Sequence, residues 1–167
     1  MLLFFQVAGL GKAYTEELRA ANTGTINEYV RVTLYKYWVD ADGNKQLDLN
    51  PAYINLNLVN LDTDWILDAD ASTTERTVLY FNRLLNSGDV TPMFTDTLTI
   101  NGNVAAKAHQ KTLPNGNIQT IYEYDGAQFC IEARVDAVQE NNAEDAVLSA
   151  WGQNVIVDPD AGTLNLR

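Results

Sequence analysis

The residues from which reactive centres are usually built are scarce in this sequence. Its 167 residues include one cysteine (Cys130), one histidine (His109) and four prolines. A single cysteine excludes a disulfide within the chain, although it does not decide the cellular compartment. A single histidine excludes the zinc sites with two or three imidazole ligands that many hydrolases use.

Positive charge is also scarce. Lysine and arginine number 11 against 22 aspartates and glutamates, so the net charge is −11 at pH 7 and the pI is about 4.3. A surface of this charge repels phosphate backbones and anionic lipid headgroups. We therefore expect no nucleic-acid partner.

The apolar N-terminal stretch, residues 1–10 (MLLFFQVAGL), is too short to span a bilayer, which takes about 20 residues in a helix. It also lacks the basic start of a signal peptide. We expect no membrane span and a single domain over residues 1–167. Residues 1–12 are interpreted either as a donor strand or as the remnant of a truncated leader.

Alternation of apolar and polar side chains is the pattern that is present. Residues 28–38 read EYVRVTLYKYW, and a period of two places every second side chain on one face of a strand. The apolar face of this segment consists of Val30, Val32, Leu34 and Trp38. Residues 128–138 alternate in the same way, and their predicted inward side chains are Phe129, Ile131, Ala133, Val135 and Ala137. Both segments are predicted as main strands of the fold.

Shorter strands separated by glycine, asparagine and aspartate turns are predicted along the rest of the chain. They are placed at residues 14–21, 54–58, 65–67, 77–85, 95–100, 118–124, 154–157 and 163–166. One helix follows Asn142, a favourable N-cap, and stops at Gly152. Its apolar stripe is Ala143, Ala146, Val147, Ala150 and Trp151. The pattern predicts an all-β fold: an antiparallel two-sheet sandwich of jelly-roll or immunoglobulin-like type with one short helix near the C-terminus.

No motif assembles a catalytic centre. His109 lies in a polar run and is interpreted as a surface or edge-strand residue. The serines available for a Ser-His-Asp triad, which lie outside any G-x-S-x-G context, are Ser72, Ser87 and Ser149. Cys130 lies in mid-strand beside acidic residues, which favours packing over thiolate chemistry. We predict a protein without enzymatic activity and without a cofactor.

Two features leave ligand binding open. Acidic loops offer oxygen ligands for calcium, although their spacing differs from that of an EF-hand, and the alternative is an ordinary solvated turn. The candidate pairs are Asp40 with Asp42 and Asp68 with Asp70. Tyr29, Tyr35 and Tyr37 alternate along one strand, where they could stack on sugars. They could instead form a cross-strand ladder or pack between sheets.

Three stretches together resemble the TasA and camelysin (CalY) family. Residues 14–38 (YTEELRAANTGTINEYVRVTLYKYW) are similar to the strand, N-x-G turn and strand that open that family's domain. Residues 84–100 (LLNSGDVTPMFTDTLTI) resemble its connector, with residues 86–89 in place of the usual proline-glycine-acid turn. Residues 129–151 resemble its closing strand and helix. These motifs are structural turns, so the resemblance bears on the fold more than on activity.

The resemblance implies a secreted Gram-positive protein of the biofilm matrix or cell surface, with a jelly-roll-like sandwich and a signal peptide removed by a dedicated (SipW-type) peptidase. Some members form fibres when the N-terminal strand of one subunit completes the sheet of the next, and residues 1–7 are apolar enough to act as that donor. Camelysin carries a metallopeptidase label, which one histidine does not support. We predict a structural fibre subunit that self-assembles through its N-terminal strand. The alternative is a carbohydrate- or surface-ligand-binding adhesion module.

Overall fold

Extended backbone dominates the computed structural model, which describes the backbone of residues 2–5 and the whole of residues 10–167. The strands within these residues are β1 (Leu2–Phe5), β2 (Ala13–Leu18), β3 (Glu28–Val39), β4 (Ile54–Leu58), β5 (Trp65–Leu67), β6 (Arg76–Phe81), β7 (Thr95–Ile100), β8 (Ala108–Thr112), β9 (Ile118–Tyr122), β10 (Gln128–Gln139), β11 (Val155–Asp158) and β12 (Thr163–Leu166). The helix α1 spans Ala143–Trp151, and single 3-10 turns lie at Pro51–Tyr53 and Gly102–Ala106. A mostly β fold with one short helix near the C-terminus is confirmed.

The predicted central strand, β3, is the middle strand of a five-stranded sheet. The order of this sheet is β1-β10-β3-β6-β5, and each neighbouring pair is antiparallel. β3 and β10 pair over their full length, from Gln128 opposite Val39 to Gln139 opposite Glu28. A three-stranded antiparallel sheet has the order β2-β7-β4, and β8-β9 and β11-β12 form separate antiparallel pairs.

The apolar face of β3 packs with residues of the three-stranded sheet. One buried cluster joins β3 to β2 and β4, and its members include Val30, Val32, Leu34, Leu18, Leu56 and Leu58. A second cluster joins Trp38 of β3 to Ile54 of β4 and Leu98 of β7. Burial of each such side chain stabilises the fold by about 1.5–3 kcal/mol. The predicted inward face of β3 is confirmed.

The opposite face of the five-stranded sheet is covered as well, which alternation did not predict. Tyr29 of β3 and Tyr80 of β6 are buried in a third cluster, together with Val147 of α1 and Leu164 of β12. The helix and the C-terminal hairpin therefore enclose the side of β3 that carries its polar and amphipathic residues.

The helix has the predicted bounds but not the predicted N-terminal cap. Asn142 has a left-handed backbone (φ 54°), and its side chain makes no capping hydrogen bond. A side-chain cap needs an extended N-cap residue, so this part of the prediction is wrong. Gly152 (φ 71°) ends the helix as predicted, and its N–H donates to the Leu148 carbonyl. In the predicted stripe Ala143 and Val147 are buried but Ala150 is exposed. No helix in the described part of the chain is long and apolar enough to cross a membrane.

The inward pattern predicted for β10 holds for the first half of the strand only. Phe129, Ile131 and Ala133 are buried, whereas Val135 is 50% exposed and Ala137 is also exposed. The last two lie opposite buried residues of β3, so they are on the predicted side of the sheet. The prediction that they are buried is wrong because a three-stranded sheet does not cover the whole of a five-stranded one.

Two turns quoted for the family resemblance lie against each other. Asn22 is buried; its Nδ2 donates to the carbonyls of Ile26 (2.8 Å) and Leu85 (3.1 Å), and its Oδ1 accepts from Gly24 N–H (2.9 Å). Gly88, at φ 85°, donates its N–H to the Asn22 carbonyl (2.9 Å). The loop before β3 is thus joined to the loop after β6 through one buried amide side chain.

Candidate functional site

A polar pocket of about 290 Å³ opens on the face of the five-stranded sheet that α1 covers. Its volume lies at the lower end of the range for small-molecule sites. The side chains on which the following argument depends are Arg31, Tyr35, Asp68, Arg76, Tyr80 and Trp151. They come from β3, β6, the loop after β5 and the last turn of α1.

Strand register brings four of these side chains together. Arg31 and Tyr35 are odd-numbered residues of β3, so they point to the same face. Arg31 lies directly opposite Tyr80 of β6, and Tyr35 lies opposite Arg76. The floor of the pocket is therefore a patch of two paired strands, with one arginine and one tyrosine contributed by each.

The carboxylate of Asp68 is held at the pocket by the loop that follows β5. Its Oδ1 accepts a hydrogen bond from Ala71 N–H (3.0 Å), and its backbone N–H donates to the Val78 carbonyl (3.0 Å). The residue is only 6% exposed, and its Oδ2 has no hydrogen-bond partner. A solvated turn was the simpler prediction for this loop, and it is wrong for Asp68. A buried oxygen without a partner is costly, so this carboxylate lowers the stability of the fold.

Arg31 is the second partly unpaired group in the pocket. Its Nη2 donates to Asp136 Oδ2 (2.8 Å), and its guanidinium lies 5.1 Å from the centre of the Trp151 ring. Its Nε is buried and has no partner. Asp68 Oδ2 and Arg31 Nε are thus an acceptor and a donor without partners, and both atoms are enclosed by the protein.

Arg76 supplies a second guanidinium. Its Nε donates to the Ala71 carbonyl (2.9 Å), and it forms no ion pair with the residues that the structure describes. The pocket lining carries two guanidinium groups, of Arg31 and Arg76, and one carboxylate, of Asp68. Asp136 lies outside this lining and pairs with both Arg31 and Arg134. The lining therefore carries one more positive than negative group, on a chain whose total charge is −11.

The three tyrosines considered for sugar stacking have three different environments. Tyr29 is buried in the third cluster, which makes its ring inaccessible to a ligand. Tyr35 lines the polar pocket. Tyr37 is half-buried, with Lys45 Nζ 5.1 Å from its ring centre and a hydrogen bond to Cys130. Of the predicted set, only Tyr35 belongs to the pocket.

Cys130 is fully buried in mid-strand, as the packing interpretation expects. Burial raises the pKa of its thiol, and Glu132 raises it further, against the opposing effect of the Tyr37 hydrogen bond. A thiol with a raised pKa is a poor nucleophile at neutral pH.

The residues considered for hydrolytic chemistry do not converge. His109 is exposed on β8, and Ser149 is exposed on α1. The hydroxyl of Ser72 donates to the Asp68 carbonyl (2.6 Å), and that of Ser87 donates to the Gly24 carbonyl (2.7 Å).

The carboxylate in the acidic loop at Asp40 is engaged by hydrogen bonds within that loop. The Asp40 carboxylate accepts from the backbone N–H groups of Asp42 and Asn44 (both 2.9 Å). The hydrogen bonds from Asn44 hold the pKa of Asp40 below its ordinary value. Over residues 10–167, no three His, Cys, Asp or Glu side chains form a group that could hold a metal ion.

Sequence reasoning missed most of the pocket. Arg31, Arg76 and Trp151 were not selected as site residues, and Asp68 was considered only as a calcium ligand. One signal was present: the odd positions of β3 are polar or amphipathic, and the helix stripe ends in a tryptophan. A polar strand face beneath an amphipathic helix encloses polar groups, but the sequence does not show where the helix docks.

A second feature is the outer edge of β10 over residues 133–139, which we call the β10 edge. Glu28, an even-numbered residue of β3, exchanges backbone hydrogen bonds with Leu85 on the β6 side, so the odd-numbered residues of β3 direct theirs towards β10. Each odd residue of β3 lies opposite an even residue of β10, and Glu140 N–H accordingly donates to the Asn27 carbonyl. The odd residues of β10 therefore direct their N–H and C=O groups away from β3. β1 pairs with Phe129–Glu132 only. None of the strands described here pairs with the outer side of Val135 or Ala137.

Comparisons with protein-family models, curated proteins and solved structures find no match to this chain. The resemblance to the TasA and camelysin family therefore stays a prediction. The function has to be argued from the polar pocket and the β10 edge.

Proposed function

We propose that this protein is a secreted, non-catalytic structural subunit of an extracellular matrix or cell-surface fibre, and that it assembles by β-strand addition. In this proposal, β1 of one copy pairs with β10 of the next. The contact is head-to-tail and does not close on itself, so it generates a filament.

The two apolar clusters shared by β3 and the three-stranded sheet support a two-sheet sandwich of jelly-roll type as the form of the subunit. A sandwich presents strand edges at its sides, and an unprotected edge accepts a further strand. The polar pocket lies on the face of the five-stranded sheet that α1 covers, away from these edges.

The position of β1 is the observation that carries the proposal. β1 is an edge strand, and its described pairing is with β10 alone, from Leu2 opposite Glu132 to Phe5 opposite Phe129. Replacing it by the same strand of another copy conserves every one of these pairings, which is the condition for a low-cost strand exchange. Of the proposed donor, residues 1–7, the structure describes Leu2–Phe5, and the other three residues lie outside the described part.

A cysteine at position 4 tests the exchange directly. Phe4 lies opposite Cys130, in a pair that does not exchange backbone hydrogen bonds. The Cα atoms of such a pair are about 4.5 Å apart, which suits a disulfide. In Phe4→Cys, oxidation of dilute protein should lock β1 onto its own subunit. Oxidation after assembly should give a ladder of covalent oligomers on a non-reducing gel.

Leu3→Cys is the matched control, because Leu3 lies opposite Ile131 and has no cysteine partner. It should assemble without forming the ladder. The monomer locked by oxidation should not form filaments in electron micrographs until it is reduced. Filaments whose Phe4→Cys disulfides are all intramolecular, or a chain that stays monomeric across salt and pH, would contradict strand addition through β1.

An adhesion module that binds a carbohydrate or another surface ligand is the second candidate function. The observation that favours it is the polar pocket, whose lining includes the rings of Tyr35, Tyr80 and Trp151 beside two arginines. The two functions are compatible, since the pocket and the β10 edge share no residue.

A further inference from the structure

We propose that two copies of this protein associate side by side, through antiparallel pairing of the β10 edge with the same edge of a second copy. The two five-stranded sheets then form one continuous sheet across a two-fold axis. This contact goes beyond strand addition through β1, because it uses residues 133–139 of β10 whereas β1 pairs with Phe129–Glu132. Neither contact needs the other.

The β10 edge has the backbone and the side chains that such pairing needs. Its odd residues direct their N–H and C=O groups outwards, and none of the described strands pairs with them beyond Glu132. Val135 is 50% exposed, and Ala137 and Gln139 are exposed as well. β10 contains neither lysine nor proline, the residues that commonly protect a sheet edge. The edge is therefore open to a further strand.

A two-fold axis allows only a few registers along this edge. Odd residues must lie opposite odd residues, so the axis passes through Val135, Asp136 or Ala137 if most of the edge is to pair. With the axis at Val135, the second copy would run past Glu132, where Leu2 of β1 already pairs. With the axis at Asp136, two carboxylates would lie directly opposite each other, which is destabilising.

The axis at Ala137 meets neither obstacle. Ala137 then lies opposite Ala137 of the second copy, and Val135 lies opposite Gln139. Each of these pairs exchanges both of its N–H···O bonds. The second copy ends its strand at Gln139, before it would reach β1.

Charge complementarity in this register points to a second copy of the same chain. Arg134 of each copy lies opposite Glu140 of the other. The side chain of Arg134 is 67% exposed, and its Nε donates to Asp136 of its own copy (3.2 Å). Glu140 is exposed as well. Opposite charges that face each other across two strands stabilise the pairing, and the two-fold axis supplies this pair twice.

A cysteine on the axis tests the contact and its register. In Ala137→Cys the two new cysteines lie opposite each other with Cα atoms about 5.5 Å apart, which suits a disulfide. Mild oxidation should give a covalent dimer on a non-reducing gel. Val135→Cys is the matched control, because its two copies are about 14 Å apart along the joined strands and should not be linked. A disulfide that forms as readily in Val135→Cys as in Ala137→Cys would overturn the proposal.

Charge reversal tests the contact between Arg134 and Glu140. Arg134→Glu places two acidic side chains opposite each other and should weaken the dimer roughly tenfold, as measured by sedimentation equilibrium. Adding Glu140→Arg to the same chain restores opposite charges across the axis and should restore the affinity. An affinity that the second change does not restore would contradict this register.

The oxidised Phe4→Cys subunit separates this contact from strand addition, because its own β1 is locked in place. It should still dimerise at about 0.15 M salt, where repulsion between copies is screened beyond about 8 Å. Adding Ala137→Lys should abolish the dimer, whereas Ala150→Lys makes the same change at an exposed position of α1 and should leave it intact. Equal thermal midpoints of the two lysine variants would show that neither change disturbs the fold.

A dimer of the locked subunit that Ala137→Lys abolishes supports the proposal, whether or not the unaltered chain forms filaments. A locked subunit that sediments as a monomer at every concentration would overturn it and leave strand addition through β1 untouched. The same holds if Ala137→Lys and Ala150→Lys dimerise equally well.

Discussion

Single buried polar residues have two contrasting roles in this protein. Asn22 uses its side-chain donor and acceptor groups on backbone partners in two loops, so it joins those loops without leaving an unpaired atom. Asp68 uses one carboxylate oxygen in the same way and leaves the other buried and unpaired. A fully satisfied buried amide stabilises a fold, whereas a half-satisfied carboxylate lowers stability. The first arrangement therefore stabilises the two loops, and the second costs stability at Asp68.

The ion pair beneath the pocket should make stability depend on pH. Burial alone would raise the pKa of Asp136, but the hydrogen bond and charge of Arg31, with the charge of Arg134, outweigh it and hold this pKa below its ordinary value. A lowered pKa stabilises the folded state at neutral pH, and this contribution is lost as the pH falls through the folded-state pKa. Asp136→Asn should therefore cost about 1–2 kcal/mol at pH 7. The difference from the unaltered chain should shrink below about pH 4.

Urea unfolding of both proteins between pH 7 and pH 2.5 measures this difference. Asp160→Asn removes the same charge from an exposed position that forms no ion pair with any described residue, and it should change stability little at any pH. A loss in Asp136→Asn that is equally large at both ends of the range would show that the side chain stabilises by packing and not by charge.

At the scale of elements, the alternation of apolar and polar side chains predicted the positions of strands well. It predicted poorly which other elements cover them. The bounds of β3, β7 and α1 follow the sequence closely, because period and composition are properties of the local chain. Val135 is on the predicted side of β10 and is still half exposed. Alternation states which side chains share a face, but the extent of the covering layer depends on residues far away in sequence. The polar pocket was not predicted for the same reason, because its lining residues come from segments far apart in sequence.

The end of α1 gives a prediction about a single backbone position. Gly152 has a left-handed backbone (φ 71°), and a Cβ added there would meet no atom within 4 Å. Gly152→Ala should therefore lower the free energy of unfolding through backbone strain alone, by about 1 kcal/mol.

Gly102→Ala is the matched control for this change. Its surroundings are equally open, and its backbone is not left-handed. This variant should be neutral or slightly stabilising, since alanine restricts the unfolded chain. Thermal unfolding of both variants decides the point, and equal losses would contradict the strain argument.

For the whole molecule, the net charge opposes the assembly of copies, whereas the backbone groups at the edge of the sheet favour it. Each copy carries a net charge of −11, so copies repel one another in solution. The proposed strand addition takes place at Phe129–Glu132 of β10, where β1 pairs, and it depends on main-chain hydrogen bonds, which salt affects little. Lysine residues that would protect the edge are absent from β10, whose sequence is QFCIEARVDAVQ. Repulsion between whole molecules is therefore the main barrier to assembly that solvent conditions control.

Assembly should accelerate as that repulsion is screened or titrated. Raising the salt concentration from about 0.01 M to 0.15 M shortens the screening length from about 30 Å to 8 Å. The rate of filament growth, followed by light scattering and electron microscopy, should rise over this range. It should rise again as the pH falls from 7 towards the pI of about 4.3. The Phe4→Cys monomer, locked by oxidation in dilute solution, separates strand addition from precipitation near the pI, because only precipitation persists in it. Filaments that dissolve as salt is raised would indicate subunits joined by ion pairs, and strand exchange would then not be the contact that holds them.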